Sequence, residues 1–248
     1  MESPDTGTPV GFFSVITNIF SSPSEVYEKT APHEPSMSLW LIPFLVAILI
    51  GCGIAVMVTT VPTFKGQILD AQSKVMQKRV DQGKMTQAQM DAAQEQMEKM
   101  GGLFVVFGVI GTVVVLSLVY FGGALLLWLA AKISLKSPAG YAKHLEIYGV
   151  SSWIGILGGI IAALLMNALG SMYATPSLAL AVFSSYDPMN SLHRFLASVE
   201  FFGIWQWAVA GIGLSKTSGK SAGMGIATGL GVYVLIIVIR YAWGAAFS

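Results

Sequence analysis

Hydrophobic and polar positions alternate along the chain on a scale of whole helices. Five apolar stretches stand out: 39–61 (LWLIPFLVAILIGCGIAVMVTTV), 103–131, 148–173, 195–214 and 222–245. A hydrocarbon core of about 30 Å is crossed by about 20 such residues. Inside lipid the backbone must satisfy its own hydrogen bonds, so each stretch predicts a transmembrane helix. The expected fold is therefore all-α, a polytopic bundle of five membrane helices over residues 39–248. Trp40, Trp128, Tyr173 and Trp243 fall near the expected span ends, where aromatic rings favour the interface.

One segment breaks the pattern. Residues 63–100 carry eleven of the 27 charged residues, which places them in water. Phe64, Ile68, Ala71 and Val75, then Met90, Ala93, Met97 and Met100, recur at helical spacing. Gly83 supplies a stop, and Thr86-Gln87-Ala88-Gln89 reads as a capping box for a second start. The segment predicts an extramembrane helical hairpin between spans one and two, with Lys65, Lys74, Lys78 and Arg79 on one arm facing Asp91, Glu95 and Glu98 on the other; the alternative is a long solvated linker.

The first 38 residues form an N-terminal segment of interfacial helices. Phe12, Val15, Ile16 and Ile19 line one face of a helix over 10–20 that either lies on the membrane or packs on the bundle. Ser22-Pro23-Ser24-Glu25 predicts a capped start with proline at the first helical position. Ser137-Pro138 and Thr175-Pro176 repeat half of that signal. MESPDTGTPV lacks the basic region of a signal peptide.

Composition agrees: 54% hydrophobic and 11% charged residues, with a net charge of +1, describe a membrane protein and give no sign of nucleic-acid binding. Cys52 alone excludes an internal disulfide or a cysteine-rich metal site. Short loops with Lys132, Lys136, Lys143, Lys216 and Lys220 share the N-terminal side, which places the N-terminus in the cytoplasm and the C-terminus outside.

Catalytic signals are missing. His33, His144 and His193 lie in separate segments without metal-ligand spacing, and no cofactor is implied. Gly213–Ser221 imitates a phosphate-binding loop, but its glycine spacing is one residue too long and it joins two membrane helices, so no nucleotide is expected. Small residues recur at packing intervals: Ala47, Gly51 and Ala55; Gly155, Gly159 and Ala163; Gly225 and Gly229. Such rows let helix backbones approach closely, within one chain or in a homo-oligomer.

Glu200 is a carboxylate inside an apolar run. Counted outward from the loop near Ser218, it and Arg240 differ by four residues, about 6 Å of helical rise. A charge in lipid requires a partner, so Glu200 and Arg240 are read as a structural pair joining helices four and five. The alternative is a small transporter or channel centred on Glu200, Arg240, Asn167 and Gln206.

The ordered pattern SSPSEVYEKTAP, LWLIPFLVAIL, SPAGYAKHLEIYGVSSWIG and WQWAVAGIGLSKTSGKSAGMGIA resembles the Yip domain family of Ypt/Rab-GTPase-interacting proteins, bacterial members above all. The likeness covers most of 10–245 apart from the 63–100 insertion. Tyr148, Gly149 and Ser151 match the family's entry to the third span, with Val150 in place of an aromatic residue; the aspartate-leucine-tyrosine-glycine-proline motif of eukaryotic members is absent. The resemblance implies five spans, a cytoplasmic N-terminus, and a non-enzymatic scaffold or adaptor. Its protein partners would meet it through the hairpin or the cytoplasmic loops.

Overall fold

The computed structural model describes residues 11–99 and 101–246. The stretch 1–10, Met100 of the expected second hairpin face, and the side chains of Glu98 and Trp243 lie outside that description. The described secondary structure is helical: α1 (Phe12–Asn18), α2 (Pro23–Thr30), α3 (Met37–Thr60), α4 (Pro62–Asp81), α5 (Gln87–Lys99), α6 (Gly102–Ala130) with a π-turn (Ala131–Leu135), α7 (Tyr141–Leu169), a 3₁₀ segment (Leu178–Ser185), α8 (Ser191–Ser198), α9 (Phe201–Ser218) and α10 (Ala222–Ala246).

Four of these helices are long and apolar enough to cross a membrane: Met37–Thr60, Gly102–Leu135, Tyr141–Leu169 and Ala222–Tyr241. The expected helix over 195–214 is not continuous. α8 ends at Ser198, the next residue Val199 has non-helical dihedrals (φ −94°, ψ 85°), and α9 begins at Phe201. The break is fixed from outside the segment. The Leu178 N–H donates to the Val199 carbonyl, and Ser177 and Glu200 pair in an isolated antiparallel bridge. Gln206 and Lys216 also dilute the apolar character of α9.

Contacts divide the chain into two units, one of residues 1–47, 117–158 and 201–248, the other of residues 48–116 and 159–200. The first holds the hydrophobic core. Val15 of α1 and Ile19 just after it, Val26 and Tyr27 of α2, Tyr120, Ala124 and Leu127 of α6, Ile147, Tyr148 and Ile154 of α7, and Trp207 and Leu214 of α9 are buried in it. The apolar face of α1 is thus used inside the protein, with Phe12 edge-on to Trp153 and Phe20 edge-on to Trp205. α10 packs along α9, and the π-turn packs on both. Lys136 closes that turn in the left-handed region (φ 54°, ψ 36°), a position that strains any residue with a Cβ.

In the second unit Gly51 of α3 packs on Thr112 and Leu116 of α6, and Asn167 of α7 donates to the Ala163 carbonyl and to Met57 Sδ. Gln67 of α4 is bonded to the backbone beyond α7, donating to the Gly170 carbonyl and accepting from the Met172 N–H, both at 2.9 Å. α4 and α5 meet through a Gln94–Ser73 hydrogen bond of 3.2 Å. The opposed charges expected between these helices form no ion pair among the described residues; Lys99 pairs with Glu95 on its own helix.

Local capping separates signals that act from signals that do not. Thr86 Oγ1 accepts from the Gln89 N–H (3.2 Å) while Gln89 Oε1 accepts from the Thr86 N–H (2.9 Å), a complete capping box. At Ser22 the expected box does not form. Its side chain makes no capping hydrogen bond, and the Ser22 carbonyl accepts from the Glu25 and Val26 N–H groups. Thr175-Pro176 shifts by two residues: Ser177 is the cap and accepts from Ala179. Thr86→Ala should therefore fray the start of α5 at a cost of about 1 kcal/mol, seen as faster amide exchange at Gln89 and Met90, whereas Ser22→Ala should leave α2 unchanged.

Candidate functional site

Charged residues concentrate in the first unit around the linker between α2 and α3, residues 31–36. α7 starts earlier than hydropathy implies, at Tyr141 instead of near 148, because its first turns are polar yet buried. Spacing by three residues puts Lys143 and Glu146 on one face of α7. Their side chains are 9% and 3% exposed and pair at 2.7 Å.

Each partner also holds backbone. Lys143 Nζ donates to the Thr30 carbonyl at 3.0 Å, the last residue of α2. The Ser36 N–H, one residue ahead of α3, donates to Glu146 Oε2. The ion pair therefore grips both ends of the linker, and the desolvated charges are compensated by hydrogen bonds as burial requires. Between the two grips, Pro32, His33, Glu34 and Pro35 are all exposed.

The surrounding side chains extend the arrangement. The Tyr27 hydroxyl donates to the Ile147 carbonyl at 3.0 Å and shares a hydrogen bond with Ser151. Burial pushes its phenol far above the ordinary range, so it stays a donor at physiological pH. Fully buried His144 sets Nδ1 2.8 Å from the Gly140 carbonyl, which assigns that nitrogen the proton. Glu28 faces Lys216 of α9 at 3.6 Å, an exposed and weak pair. Two clefts flank the linker. One, of about 750 Å³, is lined by Glu28, His33, Glu34, Lys143 and Lys216; the other, of about 310 Å³, by Phe12, His33, Glu34, Ser36 and Glu146.

The carboxylate and ammonium here are committed to each other and to the backbone, an arrangement suited to holding a loop in shape. Among the described residues no cluster of histidine, cysteine and acidic side chains is placed to hold a metal.

The residues singled out in the sequence are distributed as follows. Tyr148 and Ser151, two and five residues beyond Glu146, are buried, and Tyr148 is hydrogen-bonded to Gln206. Gly149 is where α7 meets α3, its α-carbon facing the backbone of Leu39 and Trp40. Gly155 lies against Gln206, and Gly225 and Gly229 against the backbone of α9 at Gly211 and Trp207. Gly159 has only Ile50 in ordinary contact range. Glu200 is exposed at the α8–α9 break of the second unit, and Arg240 is exposed on α10 of the first. Sequence reasoning missed Lys143–Glu146 as a pair; the three-residue spacing was the available signal.

The Yip1 domain family profile matches residues 17–243. No curated protein and no solved structure matches the chain.

Proposed function

Because the chain belongs to the Yip1 domain family, we propose that it is a non-catalytic membrane scaffold or adaptor that presents the Pro32–Pro35 loop to protein partners. The observation that carries this reading is the buried Lys143–Glu146 pair, which fixes both ends of an exposed four-residue loop. A loop ordered before binding spares the partner the entropy of ordering it. Two prolines stiffen it further, and His33 and Glu34 supply polar contacts.

In this reading α9 makes a fifth crossing alongside α10. The N-terminus and the clasped loop face the cytoplasm and the C-terminus lies outside, in an inner membrane. α4 and α5 form an extramembrane hairpin that offers a second contact surface, and a homo-oligomer is compatible with the glycine-rich faces. Glu200 and Arg240 act structurally as a pair.

Transport is favoured by one observation, the helix break that carries Glu200. Photo-crosslinking separates the two readings. A crosslinking residue placed at His33 or Glu34 of the full chain in cells is expected to give discrete protein adducts that disappear in Lys143→Met. Loss of those adducts at both positions in the otherwise native protein, together with ion uptake abolished by Glu200→Gln, would replace the adaptor with a transporter.

A further inference from the structure

An apolar groove of about 380 Å³ runs along α6 in the first unit, lined by Ser117, Leu118, Phe121, Gly122, Leu125 and Tyr141. Its size is that of a small-molecule site. The Tyr141 hydroxyl donates to the Phe121 carbonyl at 3.1 Å and fixes the start of α7 as one wall. Gly122 keeps the floor open, since a Cβ there would meet nothing within 4 Å.

The groove points toward charge. Leu118, Gly122, Leu125, Leu129 and Lys132 follow one another at intervals of three or four residues, the repeat of a single helix face. Lys132 is about 10 Å of rise beyond Leu125, at the π-turn that ends the membrane helix. Lys136 follows, held in its strained left-handed position. Both lysines are exposed, neither forms an ion pair among the described residues, and no acidic residue occurs between 131 and 142. Between them Ile133 is 72% exposed, an apolar side chain at the edge of the lipid.

We propose that this groove holds one acyl tail of an anionic phospholipid whose phosphate is bound by Lys132 and Lys136. The apolar floor matches the tail and the two unneutralised ammonium groups match the headgroup. A zwitterionic lipid would fill the groove equally well but would leave the lysines with a weaker partner.

Native mass spectrometry of the full chain in detergent, titrated with phosphatidylglycerol or phosphatidylcholine, tests this. The wild type is expected to retain phosphatidylglycerol about thirtyfold better, the size expected of two lysines at an anionic surface. Lys132→Ala/Lys136→Ala should abolish that preference, and Lys132→Arg/Lys136→Arg should keep it. Gly122→Leu, which extends into open space and leaves the fold intact, should lower retention of both lipids. Equal retention of the two lipids by the wild type would reduce the groove to ordinary lipid contact and overturn the proposal. So would a preference that survives both the alanine pair and Gly122→Leu, or one that millimolar inorganic phosphate removes.

Discussion

Lys143→Met should be among the most damaging single substitutions in the protein. It removes the ammonium from a buried pair and leaves the Glu146 carboxylate with the Ser36 N–H alone. Breaking one side of such a pair costs about 3–5 kcal/mol, because the remaining charge is buried without compensation. Thermal unfolding in detergent, followed by tryptophan fluorescence, should show a fall of about 10 °C. Glu146→Gln should cost less, since the amide oxygen still accepts from Ser36. The double change Lys143→Met/Glu146→Leu gives a sharper result. Apolar replacement of a whole buried pair is often neutral for stability, so the bundle should regain most of its melting temperature. Both grips on the linker are nevertheless lost, and limited proteolysis should now cut between Ala31 and Ser36. Stability and loop presentation would then be separated in one protein. A single Lys143→Met variant that melts with the wild type would remove the clasp from consideration.

The membrane helices and the Thr86 capping box were legible in the sequence because their signals are local: a run of apolar residues, or two side chains three residues apart. The clasp was obscured because each lysine in a short polar loop also fits a headgroup contact. Lys143 differs from Lys132 only in having Glu146 one turn onward and Thr30 across from it, and the second of those facts is tertiary. Glu200 drew attention for the opposite reason. Its charge is conspicuous in FLASVEFFGIWQW, yet the decisive feature there is the helix break, and nothing in that stretch marks it. There is no proline or glycine between Phe195 and Phe202; the break follows from Ser177 and Leu178, more than twenty residues earlier, bonding to the backbone at 199 and 200. Periodicity reports which faces are apolar, and it is silent about partners so distant in the chain.

Glycine spacing was a partial guide, and a large packing effect follows from where it fell short. Gly225 and Gly229 were evident as a row, but their counterpart on α9, Gly211, was not. An added Cβ at Gly211 would stand 2.5 Å from the Gly225 carbonyl oxygen and 2.7 Å from the Ile226 α-carbon. Both are backbone atoms of α10, so relief requires moving a helix, whereas a side chain could rotate away. Gly211→Ala should therefore separate α9 from α10, open the contact around Trp207 and Gly229, and cost at least the 1–3 kcal/mol typical of an overfilled core. Size-exclusion chromatography should show less monodisperse protein, with a lowered melting temperature. The same methyl group should do the reverse elsewhere. At Gly159 a Cβ would sit 3.7 Å from Ile50, and at Gly53 and Gly231 it would meet nothing within 4 Å. Alanine at those three positions should be neutral or raise stability by up to about 1 kcal/mol through helix propensity. One chemical change at four helical glycines thus yields opposite signs, decided by what lies opposite each α-carbon. Gly211→Ala melting within a degree of the wild type would mean that α9 and α10 are not packed backbone to backbone, and the fifth crossing would lose its support.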